Sequence, residues 1–300
     1  MTEIIIEIET MKTDHLKIIE CPRDAMQGIK EFIPTETKTA YINTLLQVGF
    51  DTIDFGSFVS PKAIPQLQDT AKVLAGLDLS KTKSKLLAII ANTRGAQDAC
   101  NFEEIRYLGF PFSISETFQQ RNTNSSIEQS LKTVEEIQSL CVKHNKQLVV
   151  YLSMAFGNPY GDVWNSDICI NWAKKLHGMG IRIIAPSDTI GSSTPDTINY
   201  LFSHLIPEFT DVEFGAHLHS TPEKIVEKVE AAYNSGCRRF DSAVLGFGGC
   251  PMAADSLTGN IATEAMVNYF ESKKIATGLN LNLLDKEVMQ QSTKLFNQYH

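Results

Sequence analysis

Hydrophobic residues fall into short runs rich in Ile, Val, Leu and Phe, and each run is followed by a longer amphipathic stretch. A short continuous apolar run is typical of a buried strand, whereas apolar positions at helical spacing predict an amphipathic helix. The alternation recurs eight times. The predicted strands cover residues 15–21, 52–56, 85–91, 107–113, 147–154, 181–187, 212–219 and 238–244. The predicted helices cover about 34–49, 61–76, 95–105, 126–145, 165–178, 194–206, 222–235 and 262–274.

Turn signals support these boundaries. Gly49, Gly180 and Gly236 stand near predicted helix ends, where a left-handed residue costs little. Two Ser-Thr-Pro segments, 193–195 and 220–222, place a capping hydroxyl and a proline at the start of the next helix. The segments between predicted strands are therefore expected to begin and end as helices.

Eight β-α units indicate an α/β protein with the (β/α)8 TIM-barrel fold. A doubly wound open sheet is the alternative, but it usually has fewer units, and no Gly-rich dinucleotide or P-loop pattern follows the first strand. We therefore predict one domain over residues 1–300 with a barrel core at about 15–275. A short N-terminal extension and a C-terminal helical cap are expected around this core.

Composition and charge narrow the functional classes. Hydrophobic residues make up 43% of the chain and charged residues 21%, which is ordinary for a globular protein. The formal net charge of −8 argues against general binding to nucleic acid or to an anionic membrane, because both need clustered Lys and Arg. The acidic N-terminus lacks a signal-peptide pattern, and no apolar run reaches membrane-spanning length. The six cysteines form no CxxC pair and are expected as free thiols, so we predict a cytoplasmic location.

Reactive residue types follow several predicted strands. In a TIM barrel the catalytic residues lie at the carboxyl ends of the strands and in the loops that follow. The residues concerned are Arg23, Asp24 and Gln27 after the first strand, Asp54 in the second, Asp188 after the sixth, His217 and His219 at the end of the seventh, and Cys250 and Asn260 after the eighth.

His217 and His219 are the sharpest chemical signal. Residues i and i+2 of a strand point to the same face, so both imidazoles can converge inside the barrel mouth, and Asp24 can supply an anionic partner there. Such a mixed nitrogen and oxygen shell suits Mg²⁺ or Mn²⁺ better than a closed structural zinc site. The alternative is that one histidine packs in the core while the other faces solvent. Their place at a strand end, opposite an Arg-Asp pair, favours a metal site.

Three further residues have both a functional and an ordinary interpretation. Arg23 keeps its proton and can stabilise an oxyanion, although many adjacent Arg-Asp pairs are merely salt-bridged. Gln27 can serve the site or make a helix-turn hydrogen bond. The glycine-rich segment 246–251 can close over a substrate and deliver Cys250 as an acid or nucleophile. Its alternative is a tight turn with an incidental cysteine.

Six segments, taken in order, resemble the hydroxymethylglutaryl-CoA lyase family, which belongs to the metal-dependent TIM-barrel group of lyases and Claisen-type condensing enzymes. The segments are CPRDAMQ (21–27), SFVSPKAIPQ (57–66), SDTIG (187–191), AHLH (216–219), GFGGCP (246–251) and GNIATE (259–264). The similarity extends in register from about residue 16 to 275. One such segment would be weak evidence, but six in sequence are specific.

The resemblance implies cleavage of 3-hydroxy-3-methylglutaryl-CoA into acetyl-CoA and the ketone body acetoacetate. It implies that Asp24, His217, His219 and Asn260 bind a divalent metal, Mg²⁺ or Mn²⁺, which would acidify the substrate's tertiary hydroxyl. Arg23 would stabilise the enolate oxygen. The residues with implied catalytic roles are Arg23, Asp24, Cys250, His217 and Asp188, and those with implied substrate-binding roles are Gln27, Asp54, Asn122 and Asn124. The expected partners are an acyl-CoA substrate and further copies of the chain, in a dimer or larger homo-oligomer; a pathway role such as leucine degradation stays open.

Some positions depart from the family pattern. Asp54 replaces a glutamate, Ala25 replaces a glycine, Asn158 replaces a cysteine, and Ser-Thr-Pro-Glu at 220–223 replaces Asp-Thr-Tyr-Gly. The departures keep open another acyl-CoA lyase or aldolase, or a condensing enzyme. Condensing relatives commonly have extra C-terminal domains, whereas this chain stops after its barrel. A catalytically silent barrel acting as a binding subunit is disfavoured because the predicted metal ligands, the arginine and the cysteine are all retained.

Overall fold

The computed structural model describes residues 15–249 and 258–299, and within them eight strands form the inner layer. The strands are β1 (Lys17–Glu20), β2 (Thr52–Ser57), β3 (Lys85–Ile89), β4 (Ile105–Ser113), β5 (Gln147–Ser153), β6 (Ile183–Pro186), β7 (Glu213–Ala216) and β8 (Arg239–Ser242). All pairings are parallel and follow the order of the chain, and β8 pairs with β1 to close the barrel. The predicted (β/α)8 TIM barrel is therefore confirmed.

Helices surround the barrel between consecutive strands and after the last one. They are α1 (Pro22–Gln27), α2 (Thr35–Leu45), α3 (Thr70–Ala75), α4 (Thr93–Cys100), α5 (Glu116–Thr123), α6 (Ile127–Lys143), α7 (Ser166–Gly178), α8 (Pro195–Glu208), α9 (Ile225–Asn234), α10 (Thr263–Ser272), α11 (Leu281–Leu283) and α12 (Met289–Tyr299). A π-helical turn, Leu284–Val288, joins α11 to α12. These last elements confirm the predicted C-terminal helical segment.

The strands are buried on both faces. A small apolar cluster lies in the interior of the barrel, whereas a larger one lies between the barrel and the helices. In β3, for example, Leu87 and Ile89 face the interior, while Leu86 and Ala88 face the helices. Burial on both sides explains why the strands read as continuous apolar runs in the sequence rather than as alternating ones.

The region 61–76 differs from its prediction as one continuous helix. A 3-10 turn, Pro65–Leu67, and the short helix α3 lie there instead. Pro65 has no backbone N–H and disfavours helical geometry at the residue before it, and Ile64 has φ −132° and ψ 80°. The proline therefore ends any helix that begins earlier in the segment.

Two helices were not predicted, because both lie in loops at the carboxyl end of the barrel. The six-residue α1 follows β1 at once, with Pro22 at its first position. Helix α5 follows β4 and begins after Ser115, whose hydroxyl accepts a hydrogen bond from the Phe118 amide. Both helices contribute residues to the candidate site.

Two predictions from the whole sequence concern membrane-spanning segments, which are not expected, and the cysteines, which are expected to be free thiols. In the described part of the chain, none of the helices combines the length and apolar character needed to cross a bilayer. The five cysteines within residues 15–249 and 258–299 are free and buried, as expected for reduced thiols. The sixth, Cys250, lies outside the described residues, as does the predicted N-terminal extension at residues 1–14.

Candidate active site

Helix α1 presents three predicted site residues on one turn. Residues three and four positions apart face each other on a helix. The Gln27 side chain accordingly donates to Asp24 Oδ1 at 2.6 Å and accepts from Arg23 Nη1 at 3.0 Å, and the same Nη1 donates to Asp24 Oδ1 at 2.8 Å. The short helix thus holds a cation, a carboxylate and an amide as one unit at the end of β1.

His217 and His219 follow β7 and meet Asp24 across the barrel mouth. His217 forms a parallel bridge with Ser187, and His219 forms an antiparallel bridge with Asn260, so both histidines continue the extended backbone of the strand. One ligand atom each from Asp24, His217 and His219 lies within 4.8 Å of the others. The convergence predicted from the HxH spacing is therefore present.

The donor atoms of these three residues fit a divalent cation. His219 Nε2 is buried and has no hydrogen-bond partner among the described residues, which is costly unless a ligand satisfies it. His217 Nδ1 lies 3.1 Å from Asp241 Oδ2, which leaves Nε2 as the nitrogen available to a metal. Two imidazoles and one carboxylate form a set that suits metals with mixed nitrogen and oxygen ligands.

The pKa values of Asp24 and His219 favour the forms that bind a cation, whereas that of His217 favours the protonated ring, which would release a proton on binding a metal. Burial, followed by the charge of His217, lowers the pKa of His219 to about 4, so its imidazole is neutral near pH 7. Burial alone would raise the pKa of Asp24, but Arg23 and the two histidines hold it below its usual value. Burial would lower the pKa of His217, whereas its hydrogen bond to Asp241 and the charge there raise it. A carboxylate and a neutral imidazole are the forms that bind metals.

Asn260, the fourth predicted ligand, adjoins the other three. Its side-chain amide donates to Asp24 Oδ2 at 2.7 Å and to the Phe247 carbonyl at 2.9 Å. Gly248 packs against the same group with φ +100°, and a Cβ there would lie 2.6 Å from Asn260 Nδ2. Only glycine fits this approach, so Gly248 of the glycine-rich segment lies directly on the site. Cys250, two residues further on, is outside the described residues.

Arg23 is fixed by Asp54 beneath it. Both Nε, at 3.0 Å, and Nη2 of the guanidinium donate to Asp54 Oδ2, and the Asp54 side chain is completely buried. Burial raises the pKa of Asp54 to about 6, although Arg23 opposes the shift. Asp54, predicted to bind substrate, is therefore placed behind Arg23 and away from the cavity wall. The shorter carboxylate still reaches the arginine.

Asp188, predicted to be catalytic, is also placed off the cavity wall. Its carboxylate accepts hydrogen bonds from Ser193 and from Lys228 Nζ, which lies 2.8 Å away, and the residue is 1% exposed. Its backbone amide donates to the His217 carbonyl at 2.9 Å. Asp188 thus contacts the backbone of a predicted ligand and lies behind it.

A cavity of about 360 Å³ opens above these residues. Its described lining is Arg23, Asp24, Gln27, Val59, Ala63, Ile64, Ile89, Ala91, Pro111, Phe118, Asn122, Thr123, Tyr151, Ser153, Ser187, Thr189, His217 and His219. Asn122 is therefore on the wall. Asn124 is exposed, ends α5 in a left-handed conformation and accepts from Gln120, and it is not part of the lining.

Sequence reasoning missed Tyr151 and Asp241. The Tyr151 ring meets the His217 ring edge-on at 5.3 Å, and its hydroxyl is buried without a hydrogen-bond partner among the described residues. Asp241 and Arg239 flank Phe240 in β8, so two charged residues at i and i+2 point into the barrel. A pair of charges on the inner face of a buried strand was the signal that could have revealed them.

The fold and the site together define a (β/α)8-barrel protein with a candidate Asp-His-His metal centre at the carboxyl ends of its strands. The HMGL-like family model matches residues 16–288. The chain belongs to the HMGL-like family, and the resemblance predicted from six segments is confirmed.

Named relatives cover most of the chain. The cytoplasmic 3-hydroxy-3-methylglutaryl-CoA lyase of Rattus norvegicus is 32% identical over 272 residues, which is 90% of this chain and 78% of that protein. A hydroxymethylglutaryl-CoA lyase of Bacillus subtilis is 33% identical over 263 residues, covering 88% and 87%. The structure of an HMG-CoA lyase from Acinetobacter baumannii, in complex with coenzyme A and 3-methylmalate, superposes with a TM-score of 0.86 at 32% identity and covers 95% and 92% of the two chains.

Proposed function

We propose that this chain is a divalent-metal-dependent carbon–carbon lyase that cleaves 3-hydroxy-3-methylglutaryl-CoA into acetyl-CoA and acetoacetate. The observation that carries the proposal is that one ligand atom each from Asp24, His217 and His219 lies within 4.8 Å of the others. The Arg23 guanidinium lies beside them and is hydrogen-bonded to Asp24. The names of the rat and Bacillus relatives support the substrate, and the coenzyme A in the Acinetobacter complex supports an acyl-CoA.

The reaction breaks the bond between the tertiary carbinol carbon and the carbon next to the thioester. A base beside the metal ligands takes the hydroxyl proton, the carbinol oxygen becomes the ketone of acetoacetate, and the electrons of the broken carbon–carbon bond move into a thioester enolate. A proton delivered to that carbon then gives acetyl-CoA. The protein must therefore accept one proton from the hydroxyl, stabilise an enolate oxygen and deliver one proton to the enolate carbon.

Asp24, His217, His219 and Asn260 would hold Mg²⁺ or Mn²⁺ in this scheme. When bound, the cation would supply Lewis-acid chemistry that acidifies the tertiary hydroxyl. Tyr151 packs against His217, and Asp241 fixes the tautomer of that imidazole by holding its Nδ1. The ligand set would then be oriented before the metal arrives.

Arg23 would stabilise the enolate oxygen. Asp54 fixes Nε and Nη2, while Asp24 and Gln27 hold Nη1, so the guanidinium lies on the cavity wall in one orientation. A donor that is already oriented requires little rearrangement as charge develops on the substrate.

Cys250 would protonate the carbanion or shield it from water, a role implied by the family resemblance. We assign Gln27 and Asn122, which are on the cavity wall, to substrate binding and Asp188 to the support of the catalytic groups. For Asn124, off the described wall, a role in substrate binding is implied by the family resemblance alone.

The cavity supports the substrate assignment over a related acyl-CoA lyase, aldolase or condensing enzyme. Ala25, Asp54, Asn158 and Ser220 depart from the family pattern, and none of them is part of the cavity lining. The departures therefore lie outside the surface that would contact the reacting part of the substrate. The apolar wall formed by Val59, Ile64, Ile89 and Phe118 would exclude water from a carbanion.

Purified protein tests the proposal directly. With Mg²⁺ or Mn²⁺ and the CoA thioester, it should form acetyl-CoA and acetoacetate in equal amounts, and a chelator should stop the reaction until metal is restored. Metal binding without acetoacetate would contradict the substrate, and the same assay with other 3-hydroxyacyl-CoA esters would then identify the related lyase activity.

We further propose a cytoplasmic homo-oligomer of two or more chains. Rat and human relatives carry a cytoplasmic name, although a bovine relative is named as mitochondrial. Cell fractionation and light scattering on the purified chain test location and oligomeric state. The pathway served, leucine degradation among them, would follow from the metabolites that accumulate when the gene is deleted.

A further inference from the structure

Lys228 is a buried cation directly behind the candidate metal centre. It lies on α9 and is 1% exposed, and its Nζ donates to Asp188 Oδ2 at 2.8 Å, to the His219 carbonyl at 2.7 Å and to the Gly191 carbonyl at 3.1 Å. An ammonium group has three protons, so these three acceptors satisfy it completely. A buried charge is tolerated only when it is paired and hydrogen-bonded in this way.

Lys228 and Asp188 together hold the backbone of both histidines. Lys228 fixes the carbonyl of His219, and the Asp188 amide donates to the carbonyl of His217 at 2.9 Å. The Asp188 carboxylate is oriented in turn by the amide and hydroxyl of Ser193. The pair therefore connects the two imidazole-bearing residues to the loop after β6 from behind, without contacting the cavity.

We propose that Lys228 is a positioning residue for the metal centre: by fixing the His219 carbonyl and the Asp188 carboxylate, it holds the two histidines in the geometry that binds a divalent cation. The inference rests on the metal-dependent function proposed above. It assigns a role in metal affinity to a residue that reaches neither the cavity nor any ligand side chain. Outer residues of this kind typically change metal affinity by about 10- to 100-fold when removed.

Lys146 offers a matched control at the opposite end of the barrel. It is 7% exposed, and its Nζ donates to the carbonyls of Phe102 and Ile105 at 2.6 and 2.7 Å. It immediately precedes β5, and Ile105 is the first residue of β4, so this cation lies at the amino ends of the strands. Lys146→Met removes a buried, carbonyl-bound ammonium just as Lys228→Met does, but far from the metal centre.

The experiment measures Mn²⁺ binding by calorimetry and the unfolding of the metal-free protein in denaturant. Lys228→Met should weaken Mn²⁺ binding by about tenfold or more, and Lys146→Met should leave the Mn²⁺ dissociation constant unchanged while lowering stability. Since Lys228→Met leaves the Asp188 charge unpaired, the double variant Lys228→Met/Asp188→Asn is the folded comparison. It should recover stability yet still bind Mn²⁺ weakly, because the His219 carbonyl remains unheld.

Two results would overturn the inference. One is a folded double variant that binds Mn²⁺ as tightly as the unsubstituted chain. The other is equal weakening by Lys146→Met, which would mean that metal affinity simply follows stability. Failure of the unsubstituted chain to bind Mn²⁺ would contradict the metal centre itself, whereas Mn²⁺ binding without lyase activity would contradict only the substrate and leave this inference standing.

Discussion

Glu20 and Asp54 are two buried carboxyl groups on either side of the barrel wall. Both are completely buried, and burial raises the pKa of Glu20 to about 8 and that of Asp54 to about 6. Asp54 points inward, beneath the Arg23 guanidinium. Glu20 points outward into the layer under α10, where it accepts hydrogen bonds from the Val244 amide at 2.9 Å and the Thr263 hydroxyl at 2.6 Å.

The difference between the two carboxyl groups shows that residues on the inner face of the barrel serve the candidate metal site, whereas those on the outer face stabilise the fold. Inside, charged groups offset one another, and His219 Nε2 remains without a partner in the described part of the chain, so the inner face can bind a cation. Outside, neutral hydrogen bonds satisfy Glu20, which can remain protonated. We therefore expect inner substitutions to change metal binding and catalysis, and outer ones to change stability alone.

The largest expected effect is on the inner face at Asp24. Asp24→Ala removes the carboxylate that neutralises a cation beside the two histidines, so both Mn²⁺ binding and lyase activity should be lost. Lewis-acid catalysis supplies several kcal/mol of transition-state stabilisation, so activity should fall by on the order of 10³-fold or more. Calorimetry with Mn²⁺ and an acetoacetate assay provide the measurement. Near-normal activity in this variant would place the metal elsewhere.

Asp54→Asn is expected to have the next largest effect. It removes the charge that holds Arg23 while keeping the size of the side chain, so kcat should fall by about 10²-fold through misplacement of the guanidinium. The control is Glu213→Gln, which weakens the Arg239–Glu213 pair, joined at 3.0 Å, at the amino end of the barrel. Steady-state kinetics on the two variants should show a loss of kcat in the first alone. Equal losses would mean that any buried arginine pair supports activity.

A smaller effect is expected from Asp241→Ala. His217 Nδ1 loses its partner at 3.1 Å, so the imidazole is free to rotate or change tautomer, and Mn²⁺ affinity should fall by about 10- to 100-fold. Excess metal should then restore most of the activity, unlike in Asp24→Ala. If excess Mn²⁺ restores nothing, Asp241 has a role beyond orienting His217.

The sequence predicted the residues of the inner face well where the two-residue repeat of a strand determines which side chains share that face. His217 and His219 follow a strand with a two-residue repeat, and their convergence on Asp24 is present. Helix α1 could not be predicted, because six residues carry too little periodicity, and its internal contacts depend on the carboxyl end of the barrel. The burial of Asp54 and Asp188 depends on Arg23 and Lys228, which lie distant in sequence, so both residues resembled exposed site groups. Pro65 is a helix-breaking residue that the sequence shows, but the apolar pattern around it predicted one continuous helix.

The smallest effect on catalysis is expected on the outer face, at Glu20, where the readout is stability against pH. The unfolded carboxyl titrates near 4.5 and the folded one near 8. Between pH 4.5 and pH 8 folding takes up a proton at Glu20. The contribution of Glu20 to the free energy of unfolding is therefore fully present below about pH 4.5 and is lost as the pH rises through 8, with a limiting slope of about 1.4 kcal/mol per pH unit. Glu20→Gln keeps the hydrogen-bonding shape without the titration, so denaturant unfolding should show a shallower fall between pH 5 and 8. An unchanged slope, or a loss of Mn²⁺ affinity in this variant, would show that the two sides of the barrel wall are coupled.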